Sequence, residues 1–143
     1  MANSDLQSVE ELSEAILENP SQPMLYAGRA YSYCELGQYQ KAIEDYDEVL
    51  RLIHPNTDEY YAIALVNRGV LYTYLDEYQK AIEDYNEAIR ITRPTASFYF
   101  YRGTAYQRTG EHRKAIEDHN EAIRLGGGKP EYHLARGASY REL

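Results

Sequence analysis

Adjacent acidic residues recur in the chain, and two carboxylates held close together can perform general acid–base catalysis. Such pairs occur at Glu44–Asp45, Glu83–Asp84 and Glu117–Asp118, each time after the letters KAI. An active site is needed only once, whereas a structural contact is needed in every copy of a repeat. We therefore interpret the acidic pairs as parts of a repeated scaffold.

The other chemically capable residues do not form a catalytic or metal-binding pattern. His112 and His119 are seven positions apart, which is roughly 10 Å along a helix and too far to share a metal ion. Both replace aromatic residues of the other units, so we expect core or half-core positions. No serine, threonine or cysteine has a linked histidine. We predict a non-enzymatic protein with no cofactor and no metal site.

The stretch GGGKP, from Gly126 to Pro130, has the glycines and lysine of a phosphate-binding loop. Such a loop needs its glycines after a strand, and a Ser or Thr after the lysine. Here the glycines follow a predicted helix, and proline follows Lys129. We interpret the stretch as a turn between repeat units.

Composition and charge narrow the function classes. The chain has 143 residues and a formal net charge of −8, whereas nucleic-acid binders usually present a basic face. The single cysteine, Cys34, cannot form an intramolecular disulfide, which fits a reducing compartment. The N-terminus shows no secretory signal, and the most apolar run, YYAIALV, is too short to span a bilayer. We expect a cytoplasmic protein that contacts neither nucleic acid nor membrane.

Two sets of markers repeat at the same intervals. Arginine recurs with spacings of 39, 34 and 34, at Arg29, Arg68, Arg102 and Arg136. The phrase KAIED recurs with spacings of 39 and 34, beginning at Lys41, Lys80 and Lys114. The period is therefore 34 residues, with five extra residues around His54 to Tyr61.

Each unit is predicted to form two helices. In the second helix, apolar residues recur at i, i+1, i+4, i+7 and i+8, which places them on one side. In the first unit they are Ala42, Ile43, Tyr46, Val49 and Leu50. Between the two helices, a left-handed residue would end the first helix and reverse the chain. The residues at that position are Gly37, Asp76 and Gly110.

Glycine also recurs inside the first helices, where it costs about 1 kcal/mol relative to alanine. The positions are Gly69, Gly103 and Gly137. Repeated acceptance of that cost indicates that no larger side chain fits. We therefore expect the two helices of each hairpin to approach closely at these glycines.

This combination resembles the tetratricopeptide repeat, a helical hairpin of 34 residues. The second unit carries its pattern as Gly69, Tyr72, Tyr78, Ala81, Tyr85 and Ala88. The third unit carries Gly103, Tyr106, Ala115 and Ala122, with His112 and His119 in place of aromatic residues. In the first unit, Val49 departs from the usual alanine. The resemblance covers residues 21–143 and implies an all-α fold, a right-handed α-solenoid of stacked antiparallel helix hairpins.

The repeat register divides the chain as one domain, residues 1–143. We expect an N-terminal capping helix at 5–19, repeats at 23–54, 57–93 and 96–127, and a C-terminal half-repeat at 130–143. The repeated acidic residues predict a ladder that joins each second helix to the first helix of the next unit. The predicted pairs are Glu11–Arg29, Asp45–Arg68, Asp84–Arg102 and Asp118–Arg136.

In the family that this chain resembles, the first helices line a concave face on which ligands lie. The register places an apolar, tyrosine-rich set of residues on that face, together with one arginine. Its members are Tyr31, Ile63, Val66, Asn67, Val70, Tyr74, Phe100, Tyr101, Thr104, Arg108 and Leu134. Aromatic and arginine side chains are typical of interface hot spots, and such a groove fits an extended segment or an amphipathic helix. We predict an adaptor that binds an apolar or amphipathic segment of a partner protein.

Some members of the family bind acidic chaperone tails through two Lys, two Asn and one Arg. The corresponding positions here are Ala27, Tyr31, Asn67, Ser97 and Tyr101, of which only Asn67 matches. We therefore expect no acidic chaperone tail as a partner.

Two other function classes remain open. A homo-oligomeric scaffold would assemble through the terminal helices, where the last half-repeat leaves Leu134, Tyr140 and Leu143 uncovered. A helical-repeat RNA binder ranks last, because the negative charge and the strict spacing speak against it.

Overall fold

The computed structural model describes residues 2–53 and 59–143, and within these ranges the chain forms eight helices and no strand. The helices are α1 (Ala2–Glu18), α2 (Pro23–Glu35), α3 (Tyr39–Leu52), α4 (Glu59–Tyr74), α5 (Tyr78–Ile91), α6 (Ala96–Arg108), α7 (His112–Gly126) and α8 (Pro130–Arg141). Helices that follow one another in the chain pack together, so the fold is a stack of helix hairpins. This confirms the predicted all-α solenoid. The predicted insertion at 54–61 lies mostly outside the described residues.

The second helix of each hairpin buries the predicted apolar stripe. In α3 the buried side chains include Ala42, Ile43, Tyr46 and Val49, and the same positions are buried in α5 and α7. One core cluster joins α1 to α4, and another joins α4 to α6. Helix α4 contributes to both clusters, so the core is continuous from α1 to α6. No helix within the described ranges is long and apolar enough to cross a membrane.

Left-handed residues connect the helices of each hairpin, as predicted. Gly37, Asp76 and Gly110 have φ angles of 68°, 58° and 80°. The unfavourable backbone of Asp76 is accompanied by a hydrogen bond that its carboxylate accepts from the Tyr78 hydroxyl. Gly127 and Gly128 are also left-handed, at 70° and 77°, between α7 and α8. The glycine-rich stretch is therefore a turn between units.

Two of the three helical glycines lie where the paired helices approach closely. A Cβ atom on Gly69 would stand 2.7 Å from Cε1 of Tyr85, and one on Gly103 would stand 2.8 Å from Cδ2 of His119. Real Cβ atoms essentially never approach that closely. The Tyr85 and His119 rings can therefore occupy these positions only because glycine has no side chain. At Gly137, nothing lies within 4 Å of the Cβ position. The close-approach prediction is confirmed for the first two glycines and is wrong for the third.

This contrast predicts opposite effects for one substitution made at two glycines. Gly103→Ala gains helix propensity but forces His119 to move, and we expect a net loss of roughly 1 kcal/mol in the free energy of unfolding. Gly137→Ala gains the same propensity with no contact to disturb, and we expect a gain of roughly 1 kcal/mol. Urea unfolding followed by circular dichroism measures both. Equal effects of the two substitutions would contradict the packing explanation.

The predicted ladder between units is wrong in its pairing. Arg68 donates two hydrogen bonds to Asp84, from Nε to Oδ2 at 2.8 Å and from Nη2 to Oδ1 at 2.7 Å. The same bidentate pairs form between Arg29 and Asp45 and between Arg102 and Asp118. Each pair joins the two helices of a single hairpin. Glu11 instead accepts a hydrogen bond from Gln7 of its own helix, at 2.9 Å.

The link between units uses the residue two positions after each aspartate. Arg68 reaches back to Asp47 of the preceding unit, with Nη1 and Oδ1 2.7 Å apart. The equivalent acceptors are Ser13 for Arg29, Asn86 for Arg102 and Asn120 for Arg136. Residues two apart point about 200° apart around a helix. One therefore faces its own hairpin partner while the other faces the next unit. Arg29, Arg68 and Arg102 each join three consecutive helices, whereas Arg136 joins α8 to α7.

Candidate partner-binding groove

Helices α2, α4 and α6 line an open cavity of about 450 Å³, which we call the tyrosine cavity. It takes Tyr31 from α2, Asn67 and Tyr74 from α4, and Tyr101 from α6. The Tyr74 ring stacks on Tyr39, with ring centroids 5.0 Å apart and planes 13° apart. Several aromatic rings therefore line the cavity, and the Tyr74 ring is held by stacking on Tyr39.

A second cavity of about 220 Å³, the apolar cavity, adjoins the first and shares Val70, Tyr74 and Tyr101 with it. Its other lining residues are Thr73, Tyr85, Phe100 and Thr104. The Thr73 hydroxyl donates to the Gly69 carbonyl oxygen at 3.0 Å, and the Thr104 hydroxyl donates to the Phe100 carbonyl oxygen at 2.9 Å. Because the threonine hydroxyls are already bonded, the cavity suits an apolar side chain.

The aromatic side chains around the two cavities combine exposure with support. Tyr31 is 64% exposed, Tyr74 is 63% exposed and Tyr101 is 37% exposed. The Tyr101 ring stacks at 6.2 Å from Tyr85 and lies 5.7 Å from Phe100. Large rings that are exposed but braced by neighbours lose little freedom when a ligand covers them. This arrangement is typical of a contact surface.

Two groups that line the tyrosine cavity, the Cys34 thiol and the Tyr46 hydroxyl, favour their neutral forms. Burial, together with the nearby Glu35 carboxylate, raises the pKa of the Cys34 thiol. Burial likewise raises the pKa of Tyr46, although a hydrogen bond with Asn67 opposes the effect. A thiol that stays protonated is a weak nucleophile. The chemistry of these residues therefore fits binding by contact.

The structure brings together seven of the residues that the register predicted for the groove. Within the two cavities lie Tyr31, Asn67, Val70, Tyr74, Phe100, Tyr101 and Thr104. Arg108 lies beyond them, in an open depression that Thr104 also lines. Ile63 and Leu134 are exposed but line neither cavity.

Val66 does not have the exposure that the register predicted. It is only 6% exposed and belongs to the core cluster that joins α4 to α6. It follows buried Ala62 by four positions, which puts both on the same side of the helix. Helix α4 is apolar around most of its circumference, so its sequence does not distinguish the groove side from the core side.

Sequence reasoning missed the contribution of the second helices to the cavities. Tyr39 and Tyr46 of α3 line the tyrosine cavity, and Tyr85 of α5 lines the apolar cavity. Tyr46 belongs to the predicted packing stripe, Tyr85 has the same position in the second unit, and both are buried there. Their rings are long enough to reach the groove floor between the first helices. The large size of these two tyrosine side chains was the sequence feature that could have predicted their contribution to the cavities.

Comparisons with known families agree with this geometry. A family model described as Tetratricopeptide repeat matches residues 21–93, and a second model of the same description matches residues 66–130. No curated protein matches the chain.

Solved structures of similar fold include several repeat proteins. MamA from Desulfovibrio magneticus RS-1 is 24% identical, with a TM-score of 0.87 over 97% of this chain and 76% of that one. The first TPR of Spaghetti (RPAP3), bound to the HSP90 peptide SRMEEVD, is 21% identical, with a TM-score of 0.76 over 84% and 91%. YrrB, described as a TPR protein with an unusual peptide-binding site, is 22% identical, with a TM-score of 0.75 over 90% and 64%. The TM-scores show a shared fold, and at such low sequence identities the similarity is one of fold alone.

Proposed function

Because the chain belongs to the tetratricopeptide repeat family, we propose that it is an interaction module that binds a short segment of a partner protein in its two joined cavities. The observation that carries the proposal is the apolar cavity between Tyr74, Phe100 and Tyr101, which stands open to solvent. Two proteins of the same fold are described as bound to a peptide or as having a peptide-binding site. The module acts as an adaptor, without catalysis.

The partner segment carries one apolar side chain that fills the apolar cavity. A volume of about 220 Å³ accepts a large aliphatic or aromatic side chain. Next to it, the Asn67 amide and the tyrosine hydroxyls can bond the partner's backbone. Glu35 also lines the tyrosine cavity, and it disfavours a carboxylate at that end of the ligand. An acidic chaperone tail is therefore a poor fit, in agreement with the missing clamp residues.

The double variant Tyr74→Glu with Tyr101→Glu is expected to abolish partner binding. It places two charges beside the apolar cavity, where a ligand would have to remove their water. Ligands for the test are peptides selected on the wild-type protein from a random display library, measured by fluorescence anisotropy. We expect affinity to fall by roughly a hundredfold or more, since hot-spot residues contribute 2 kcal/mol or more each.

The matched control is Glu83→Lys with Glu117→Lys, which alters two exposed residues on the second helices α5 and α7. These residues line neither cavity, so the control variant should bind the selected peptides as the wild type does. Equal binding by the groove variant and the wild type would refute the proposed site. The same variants can then be compared in affinity capture from the cells that produce the protein.

A further inference from the structure

Each complete hairpin contains the same four-residue contact, which we call the clasp. In the second unit, Arg68 and Tyr72 of the first helix meet Lys80 and Asp84 of the second. Arg68 bonds Asp84, while the Tyr72 ring lies 5.8 Å from the Arg68 guanidinium and 5.3 Å from the Lys80 amine. The other two copies are Arg29, Tyr33, Lys41 and Asp45, and Arg102, Tyr106, Lys114 and Asp118. Three copies with one geometry serve as an internal template.

Helix α8 carries the first-helix residues of a clasp, Arg136 and Tyr140, and no described helix packs the second-helix residues against them. Arg136 donates to the Asn120 side-chain oxygen at 2.8 Å, and no carboxylate in the described part of the chain pairs with it. Tyr140 is 56% exposed, whereas Tyr72 and Tyr106 are half-buried beneath their cations. The space opposite Gly137 is open, although Gly69 and Gly103 each meet a ring there.

Helix α1 presents the opposite half. A shift of 34 positions places Gln7, Glu11 and Leu12 where α3 has Lys41, Asp45 and Tyr46. The contact of Ser13 with Arg29 confirms the register, because it repeats the contact of Asp47 with Arg68.

The face of α1 that carries these residues is only partly covered. Glu11 is exposed, and Leu12 is half-buried. The aspartate and tyrosine at the equivalent positions of α3, Asp45 and Tyr46, are buried. The acidic group and the apolar group of a clasp are thus both present on α1, and no arginine in the described ranges pairs with Glu11.

We propose that α8 of one copy docks against α1 of a second copy, so that the two half-clasps complete a hairpin between chains. Arg136 then bonds the second copy's Glu11, and Leu12 of that copy fills the space opposite Gly137. Gln7 takes the lysine position beside Tyr140. The opposite charges of Arg136 and Glu11, and the matching order of both sets along their helices, select this occupant. The contact is head-to-tail and leaves one free end on each side, so copies add in a row. This contact between copies is separate from the proposed partner-binding groove and uses none of the residues that line its two cavities.

The test uses sedimentation velocity over a concentration range at about 0.15 M salt, where repulsion between the negatively charged copies is screened beyond about 8 Å. The wild-type mass should rise with concentration. Glu11→Lys blocks one end, and Gly137→Tyr blocks the other at a position whose Cβ has no neighbour within 4 Å. Each variant alone should remain monomeric, with its association weakened by roughly thirtyfold or more. A mixture of the two should form a dimer and nothing larger. The unaltered α8 of the Glu11→Lys variant can dock on the unaltered α1 of the Gly137→Tyr variant, and no further pair of unaltered helices remains.

Charge reversal supplies a second, independent measurement. Arg136→Glu alone should lose association, and Arg136→Glu combined with Glu11→Arg should recover it. The proposal is overturned by a wild type that stays monomeric at every concentration, or by a mixture that associates no better than its components. It is equally overturned if the groove variant Tyr74→Glu with Tyr101→Glu abolishes association, since the copies would then meet through the groove.

Discussion

Replacing Arg68 with alanine is expected to lower the free energy of unfolding by about 3–5 kcal/mol, because it leaves a buried carboxylate without a partner. The Asp84 side chain is 8% exposed and receives two hydrogen bonds from the Arg68 guanidinium. The bond to Asp47 of the preceding unit is lost at the same time. Urea unfolding at pH 7, analysed by linear extrapolation, measures the change.

The control for this experiment is Arg90→Ala. Arg90 also forms a bidentate pair, with Glu87, but on the exposed side of α5. Exposed pairs of this kind contribute little, so stability should be nearly unchanged. A further variant, Arg68→Ala with Asp84→Ala, should cost less than Arg68→Ala alone, because no buried charge is left unpaired. Equal losses for Arg68→Ala and Arg90→Ala would refute the role of burial.

Acidification is expected to destabilise the protein through His119. Burial disfavours the imidazolium and lowers the pKa of His119 from its ordinary 6.5 to about 4. Neither ring nitrogen has a hydrogen-bond partner among the described residues. Between these two values the unfolded chain binds a proton that the folded chain does not. Stability should therefore fall as the pH is lowered from about 6.5 to 4, by on the order of 3 kcal/mol.

His119→Tyr removes the titrating group and introduces the residue that the second unit has at the same position, Tyr85. The difference in unfolding free energy between this variant and the wild type should widen as the pH falls. That difference isolates His119 from the carboxylates, which titrate in both proteins. His133→Gln, which changes an exposed histidine, should follow the wild-type profile. A difference that stays constant from pH 7 to 4.5 would show that His119 is not the source.

The local features of the fold were predictable because they depend on a few neighbouring residues. The apolar stripe of α3 and the left-handed turns at Gly37, Asp76 and Gly110 each follow from short spacings. The close approach at Gly69 and Gly103 followed from the cost of glycine in a helix. The stripe and the left-handed turn recur in every complete unit, so each copy supports the prediction made from the others.

The partner of each arginine was not predictable from spacing alone. In a repeat, Arg68 stands in regular register with Asp84 of its own unit and with Asp45 of the preceding one. Both pairings recur from unit to unit, so recurrence alone does not decide between them. The direction in which each aspartate points around its helix decides between them, and it selects Asp84. Asp47, two positions after Asp45, then accepts the hydrogen bond from Arg68 that links the two units.

The candidate groove was predictable in outline only. The register located Tyr74 and Tyr101 on one face, but the depth of the apolar cavity depends on how far the Tyr85 ring extends between α4 and α6. The wrong prediction for Val66 has a similar cause. Helix α4 packs into a core cluster on two sides, and its sequence does not show which of its remaining apolar residues face the groove. Side-chain length and helix rotation settle both questions.

The junctions between units differ in strength, and the difference connects ligand binding to the integrity of the stack. The third donor of Arg68 meets a carboxylate, whereas Arg102 meets the neutral Asn86, and a charged acceptor makes the stronger bond. In a linear array, structure is lost first where a junction is weakest. The apolar cavity spans the Asn86 junction, which is one of three junctions with a neutral acceptor, because its walls come from α4 and α6. A segment bound in this cavity would contact both the second and the third unit and would stabilise the junction between them. The fraction of molecules in which the third unit stays folded on the second would therefore rise with the concentration of the partner.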